Sequence, residues 1–85
     1  MEIFYSPSFA RAYKKLPDTI KNKAEKQEKV FRKNWKDSKL KAHKLHGKFS
    51  EFWSFSVDVS YRIIFTVDNK KNFTFHDIAN HDVYK

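Results

Sequence analysis

The stretch from Trp53 to Val67 constrains the fold more than any other part of the chain. Large apolar residues occupy every second position, which is the side-chain period of a β-strand. The stretch is longer than the usual strand of about five or six residues, so it predicts a hairpin that turns near residues 58–60. A turn with an odd number of residues places Val57 opposite Tyr61 and keeps the apolar positions on one face. These positions are Trp53, Phe55, Val57, Val59, Tyr61, Ile63, Phe65 and Val67.

The mostly polar face of this hairpin carries one strong cation, Arg62. A charge at the centre of a strand whose neighbours are built for burial requires an anionic partner or an open groove. Two interpretations follow for Arg62. It is either a surface arginine that pairs with a cross-strand carboxylate such as Asp77 or Glu51, or a group that binds an anion such as phosphate.

The first half of the chain predicts two helices joined by a short break. Ser6 followed by Pro7 is typical of a helix start, with serine as the N-cap and proline in the first turn. The sequence Leu-Pro-Asp at residues 16–18 ends the first helix and begins the second. Each helix has one apolar face, formed by Phe9, Tyr13 and Leu16 in the first and by Ile20, Ala24, Gln27 and Phe31 in the second.

The remaining segments complete an α+β domain. We interpret residues 1–5 and 73–78 as strands. Residues 34–41 are interpreted as a loop or a fraying helix end that Trp35 and Leu40 hold to the core. Gly47 indicates a turn that needs a positive φ or a close approach of the backbone. The order is β-α-α-β-β-β. It predicts a mostly antiparallel four-stranded sheet with the helix hairpin on one face, in a single domain that spans residues 1–85.

The charge distribution favours a polyanionic partner. The formal net charge is +8, and residues 11–48 hold fourteen Lys and Arg but only four Asp and Glu. Such a field attracts nucleic acid, an anionic membrane surface or an acidic protein, although a solvated, lysine-rich helix surface is an equal alternative. The chain has no cysteine and no apolar run of the roughly 20 residues that span a bilayer. We therefore expect a cytoplasmic protein with no membrane partner.

Histidine, lysine and tyrosine residues surround the predicted sheet edge. His43 and His81 lie at the ends of elements that should converge, and histidine suits proton transfer near neutral pH. Tyr84 is either an aromatic plug of the core or a ring that stacks on a base. The further candidate cations for phosphate binding are His46, Lys41, Lys44 and Lys48.

These residue types fit cleavage of RNA without a metal or another cofactor. That reaction needs a base for the 2′-hydroxyl, an acid for the leaving 5′-oxygen and cations for the charge on the phosphorane. A zinc site built from His43, His46, His81 and Asp82 is an alternative, but its spacing is loose and no thiolate is present. We therefore expect no metal site.

Four motifs resemble the RelE/ParE superfamily of bacterial type II toxins, and most closely its RelE/StbE and YafQ-like branch. They are His-Lys-Leu-His-Gly at 43–47, Trp-Ser-Phe-Ser-Val at 53–57, Tyr-Arg-Ile-Ile-Phe at 61–65, and Asp-Ile followed by His-Asp-Val-Tyr within 77–84. The resemblance covers nearly the whole chain. It implies a toxin that enters the ribosomal A site, cuts mRNA there and is blocked by a partner antitoxin.

The resemblance also implies a role for each site residue. Arg62 matches the phosphate-binding arginine, while His81 and His43 match histidines of the YafQ-like branch. Tyr84 matches the terminal catalytic aromatic residue. Lys44 and His46 match basic positions of RelE, and the basic region 11–48 would meet ribosomal RNA.

The chain departs from the family pattern at one place, and two functions other than mRNA cleavage remain as alternatives. Family members often have glycine before the tail motif, where this chain has Ala79 and Asn80. ParE-like relatives inhibit DNA gyrase on the same fold but usually lack the histidines. A non-toxic relative that only binds an antitoxin is the other alternative.

Overall fold

The computed structural model describes residues 1–80, which form two helices and one five-stranded mixed sheet. The sheet order is β1-β5-β4-β3-β2, and β1 pairs with β5 in parallel while the other pairs are antiparallel. Neither helix is long and apolar enough to cross a membrane within this range. The elements are β1 (Ile3–Tyr5), α1 (Pro7–Lys14), α2 (Asp18–Lys33), β2 (His43–Lys44), β3 (Trp53–Ser56), β4 (Tyr61–Val67) and β5 (Phe73–Asn80).

Both helices begin where the sequence predicts. The Ser6 hydroxyl accepts a hydrogen bond of 3.0 Å from the Phe9 amide and so caps the first turn of α1. The same hydroxyl donates to the carbonyl of His76, which ties the start of α1 to β5. Pro17 precedes α2 in an extended conformation, and Asp18 is the first residue of that helix.

The hairpin keeps the predicted parity. Phe55 lies opposite Ile63, and the Val57 amide donates a hydrogen bond of 2.9 Å to the carbonyl of Tyr61. The apolar face is therefore continuous across the turn. Val59, which the alternation assigns to that face, lies instead at the tip of the turn and is 95% exposed.

Aromatic rings from the sheet form the core around Phe31 of α2, which is fully buried. The ring centroids lie between 4.8 and 5.3 Å from the Phe31 centroid, in mostly edge-to-face geometry. Burial of one such side chain stabilises the fold by about 1.5–3 kcal/mol. The helices therefore cover one face of the sheet, as predicted, and the four rings around Phe31 belong to Phe55, Phe65, Phe73 and Phe75.

The segment between α2 and β3 is irregular but well packed. Leu40 is fully buried, and the Trp35 ring lies 5.0 Å from that of Trp53, so both predicted anchors are confirmed. Gly47 has a φ of +67°, as its turn requires. This segment contains β2, the fifth strand that the predicted four-stranded sheet lacks. Two residues are too few to show a strand period in the sequence.

A bulge interrupts the pairing of β4 with β5. The register passes from Ile64 opposite Asp77 to Phe65 opposite Phe75, so His76 is the extra residue. The bulge and the alternation along β4 separate two faces of the sheet. We call the face away from α2, which carries Arg62 and Ile64, the open face.

Candidate active site on the open face

The strand register gathers chemically different side chains on the open face. His43 of β2 pairs with Ser54 of β3, which in turn pairs with Ile64 of β4. Arg62 precedes Ile64 by two residues and therefore projects from the same face. The pairing of β2, β3 and β4 thus brings Arg62 and His43 together, although they are 19 positions apart in the sequence.

The guanidinium of Arg62 is held by two short hydrogen bonds. Its Nε donates to the Ser54 hydroxyl at 2.8 Å, and its Nη2 donates to the Lys41 carbonyl at 2.8 Å. Ser54 is 1% exposed, so this anchor belongs to the interior of the sheet. Within residues 1–80 the polar contacts of Arg62 go to these groups and to His43, and neither Asp77 nor Glu51 is among them.

Arg62 is therefore a half-buried cation that is fixed by neutral groups. Burial lowers the pKa of its guanidinium, but an arginine remains protonated at neutral pH. A cation that has lost part of its hydration and whose partners within residues 1–80 are neutral attracts an anion strongly. A phosphate oxygen suits this position, since guanidinium and phosphate form charge-assisted hydrogen bonds.

His43 lies beside this cation. Its Nδ1 is 3.1 Å from the Lys41 carbonyl and 3.4 Å from Arg62 Nη2. A carbonyl only accepts hydrogen bonds, so the shorter contact favours the tautomer with the proton on Nδ1. That tautomer leaves the lone pair of Nε2 on an exposed ring, where it can take a proton from a bound hydroxyl.

Lys41 contributes to the site through its backbone. Its φ of 50° is left-handed, which costs a residue with a side chain about 1–2 kcal/mol. In this conformation the Lys41 carbonyl accepts from Arg62 and contacts the ring of His43. The predicted role of the Lys41 side chain in phosphate binding stays a prediction.

The other predicted cations are spread around the site. Lys44 pairs with Trp53 and so lies on the opposite face of the sheet from His43. His46 is exposed, and Lys48 is exposed with its Nζ 5.3 Å from the centre of the Phe49 ring. The structure therefore does not bring Lys44 together with Arg62, and the binding roles of all three cations stay predictions.

His81 and Tyr84, the remaining predicted catalytic residues, lie outside the described residues. The last described residue, Asn80, pairs with Tyr61, which adjoins Arg62 in β4. Residues 1–80 contain no group of three His, Asp or Glu side chains that could hold a metal ion. The alternative zinc site also includes His81 and Asp82, so it falls partly outside this range.

Sequence reasoning missed a cleft that continues the open face. It has a volume of about 450 Å³ and lies between α1 and the segment after Gly47. On one wall the ring of His76 lies 5.3 Å from that of Phe52, and its Nε2 is 2.8 Å from the Thr66 hydroxyl. Burial lowers the pKa of His76. The lining residues are Ser8, Arg11, Ala12, Lys15, Phe49, Phe52, Ile64, His76 and Asp77.

The cleft and Ser54 leave only weak signals in the sequence. Ser54 is one of several serines that alternate with apolar residues in β3, and nothing distinguishes it as the buried anchor of Arg62. His76 stands in an alternating strand, where it reads as a surface residue. Only the bulge and the packing of α1 against β5 show what these residues contact.

Comparisons with known proteins identify the fold. No protein-family model and no curated protein sequence matches the chain. Among solved structures, a YoeB/ParE toxin from Agrobacterium tumefaciens has a TM-score of 0.78 and 14% identity over 95% of this chain and 99% of its own. YafQ from Escherichia coli has a TM-score of 0.78 and 19% identity over 96% and 94%.

A third similar structure contains an antitoxin. The complex of YoeB with YefM from Staphylococcus aureus, a toxin–antitoxin pair, matches with a TM-score of 0.75 and 20% identity over 95% of this chain and 97% of the matched one. These likenesses extend over nearly the full length of each chain. The chain therefore has the fold of the YoeB and YafQ toxins, which is the fold that its motifs predict.

Proposed function

We propose that this chain is the toxin of a type II toxin–antitoxin pair and that it cleaves mRNA on the ribosome, in the cytoplasm. The observation that carries the proposal is the half-buried Arg62, which neutral groups hold beside the exposed ring of His43. This arrangement supplies a fixed cation for a phosphate and a proton acceptor next to it. The fold and the four motifs support the same conclusion.

The chemistry follows from the groups present. A histidine takes the proton of the ribose 2′-hydroxyl, and the O2′ atom attacks the adjacent phosphorus. Arg62 stabilises the added charge on the phosphorane. The bond to the 5′-oxygen then breaks, and a second histidine protonates that oxygen, which leaves a 2′,3′-cyclic phosphate and a free 5′-hydroxyl. His43 and His81 are the two histidines, and Tyr84 orients or stacks on the substrate.

The basic region supports a ribosomal location. Residues 11–48 carry an excess of ten positive charges, fourteen minus four, which suits a surface that meets ribosomal RNA. The ribosome would hold the message in place, and this positioning supplies much of the rate that a few small side chains do not. An antitoxin is the proposed protein partner. This part of the proposal is supported by the likeness to toxins solved with antitoxins.

The test is to map mRNA 5′-ends after brief expression of the chain without an antitoxin. Wild type should produce cuts in phase with codons on translated messages only. Arg62→Leu and His43→Gln should each lower the cleavage rate by about 100-fold or more, the usual contribution of such groups. Lys70→Gln, which removes a cation from an exposed turn, is the matched control and should cut like wild type.

Other outcomes would replace the proposal. Growth arrest with intact mRNA, stalled replication and an SOS response would indicate a gyrase inhibitor. Normal growth at strong expression would indicate a non-toxic antitoxin-binding relative. Full cleavage by the Arg62 and His43 variants would preserve the nuclease but refute this active site.

A further inference from the structure

The cleft beside the open face has the composition of a nucleotide-binding site. Its volume of about 450 Å³ falls within the usual range for small-ligand pockets. Arg11 and Lys15 of α1 contribute positive charge to the lining, and Phe52 contributes a phenyl ring. A cleft with both an aromatic ring and cations matches a ligand that has both a planar ring and a phosphate.

The position of the cleft links it to the candidate active site. Ile64 is 3% exposed, lines the cleft, and follows Arg62 on the same face of β4. Two strand residues span about 7 Å, so the cleft begins about that far along β4 from Arg62. An RNA strand whose scissile phosphate rests on Arg62 would place a neighbouring nucleotide in the cleft.

His76 gives the cleft a polar group of defined protonation. Its ring is partly buried against Phe52, and its Nε2 shares a hydrogen bond with the Thr66 hydroxyl. The charged residues that line the cleft with it are Arg11, Lys15 and Asp77, and Asp77 follows His76 in β5. Since burial disfavours the protonated ring, His76 offers hydrogen bonds to a base and not a further positive charge.

We propose that this cleft binds the nucleotide next to the cleaved bond and thereby selects the base at that position. The base packs against Phe52, and Arg11 and Lys15 contact the phosphate on its far side. The inference rests on the proposed nuclease function, and it assigns sequence preference to a part of the molecule separate from Arg62 and His43.

Two kinds of variant test the aromatic ring of the cleft and its cations separately. Phe52→Leu keeps an apolar side chain but removes the ring, so cleavage should fall by about 5- to 100-fold, the range expected for one stacked base, and any preference that the ring gives one base should be lost. The double variant Arg11→Gln, Lys15→Gln should lower the rate by a similar factor for all bases, because phosphate contacts carry no sequence information. Lys14→Gln is the matched control, since Lys14 belongs to the same helix but lines a groove on its other side.

The experiment combines cut-site mapping in cells with binding by the full chain in solution. The probes in solution are RNA trinucleotides with 2′-O-methyl riboses, which lack the attacking hydroxyl. Proton resonances of His76 and Phe52 should shift on titration with a trinucleotide of the preferred sequence. Phe52→Leu and the double variant should weaken this response, and Lys14→Gln should not.

The outcomes distinguish this inference from the proposed function. Normal cleavage with unchanged base preference in Phe52→Leu, or no shift at millimolar trinucleotide, would overturn the cleft as a nucleotide site while the nuclease function stands. Trinucleotide binding at His76 with no mRNA cleavage by wild type would refute the nuclease and, with it, the role of the cleft in selecting cut sites.

Discussion

Ser54 should act as a positioning residue for Arg62, and Ser54→Ala tests this role. The substitution removes the oxygen that accepts from Arg62 Nε at 2.8 Å and leaves a half-buried cation with one anchor fewer. Hydrogen bonds to charged groups contribute about 1.5–3 kcal/mol. Because Arg62 is partly exposed, water replaces part of the lost bond, so we expect a loss of about 1–1.5 kcal/mol of stability.

Urea unfolding measures this loss directly. For a chain of this size the free energy of unfolding falls by about 1 kcal/mol per molar urea, so the midpoint should drop by about 1 M. Cleavage should also fall by about 10- to 100-fold, because a displaced guanidinium no longer meets the phosphate in the productive geometry.

A double-mutant cycle with Arg62→Leu isolates the interaction. Without the guanidinium, Ser54→Ala should cost less than about 0.5 kcal/mol. Thr66→Val is the control, since the Thr66 hydroxyl lies 2.8 Å from His76 Nε2, four residues along β4 from Arg62. Its cost should be equal in both backgrounds. An equal cost of Ser54→Ala with and without Arg62 would refute the anchoring role.

Three further predictions concern the fold. Phe31→Ala should lower the free energy of unfolding by about 3–5 kcal/mol, which is close to the whole stability of a small domain. Val59→Ala at the exposed turn should change the urea midpoint little. Equal effects of the two substitutions would contradict the assigned core. Asp58→Ala should lower the free energy of unfolding by about 1–2 kcal/mol. Burial opposes ionisation of the Asp58 carboxyl, but hydrogen bonds from the amides of Tyr61 and Ser60 outweigh burial and lower its pKa. The stability advantage of wild type over the variant should therefore be lost as the pH falls below about 3.9. The ring of His76 is partly buried, and burial lowers its pKa. Wild type should therefore lose stability relative to His76→Gln as pH falls below about 6.5, where the unfolded chain binds more protons than the folded one. Parallel pH curves would argue against this partial burial.

Local patterns predicted the parts of the fold that depend on neighbours in sequence. The helix starts at Ser6 and Asp18 follow from capping and proline geometry, which involve only a few adjacent residues. The hairpin parity follows because its two strands are joined by a short turn, so the alternation passes from one to the other. The prediction that Val59 belongs to the apolar face is wrong, because the tip of a turn lies beyond both strands and belongs to neither face.

Pairings between distant segments left no such pattern. β1 lies parallel to β5, and the partners Ile3 and Phe73 are 70 positions apart. A parallel pair has no connecting turn to set its register. The bulge at His76 changes the spacing of buried residues in β5 from two to three, between Phe75 and Ile78. The predicted strand covers residues 73–78, whereas β5 continues to Asn80.

The candidate site depends partly on side chains, which the sequence shows, and partly on backbone conformation, which the sequence does not show. Arg62 was found from the sequence because a lone cation in an alternating strand conflicts with its neighbours. One of its anchors is the carbonyl of Lys41, 21 positions earlier, and every residue carries a carbonyl. Only the left-handed turn at Lys41 makes that oxygen available to the open face. The anchor thus depends on backbone conformation, so a glycine or asparagine at position 41, which adopts this conformation more readily, would preserve it without the lysine side chain.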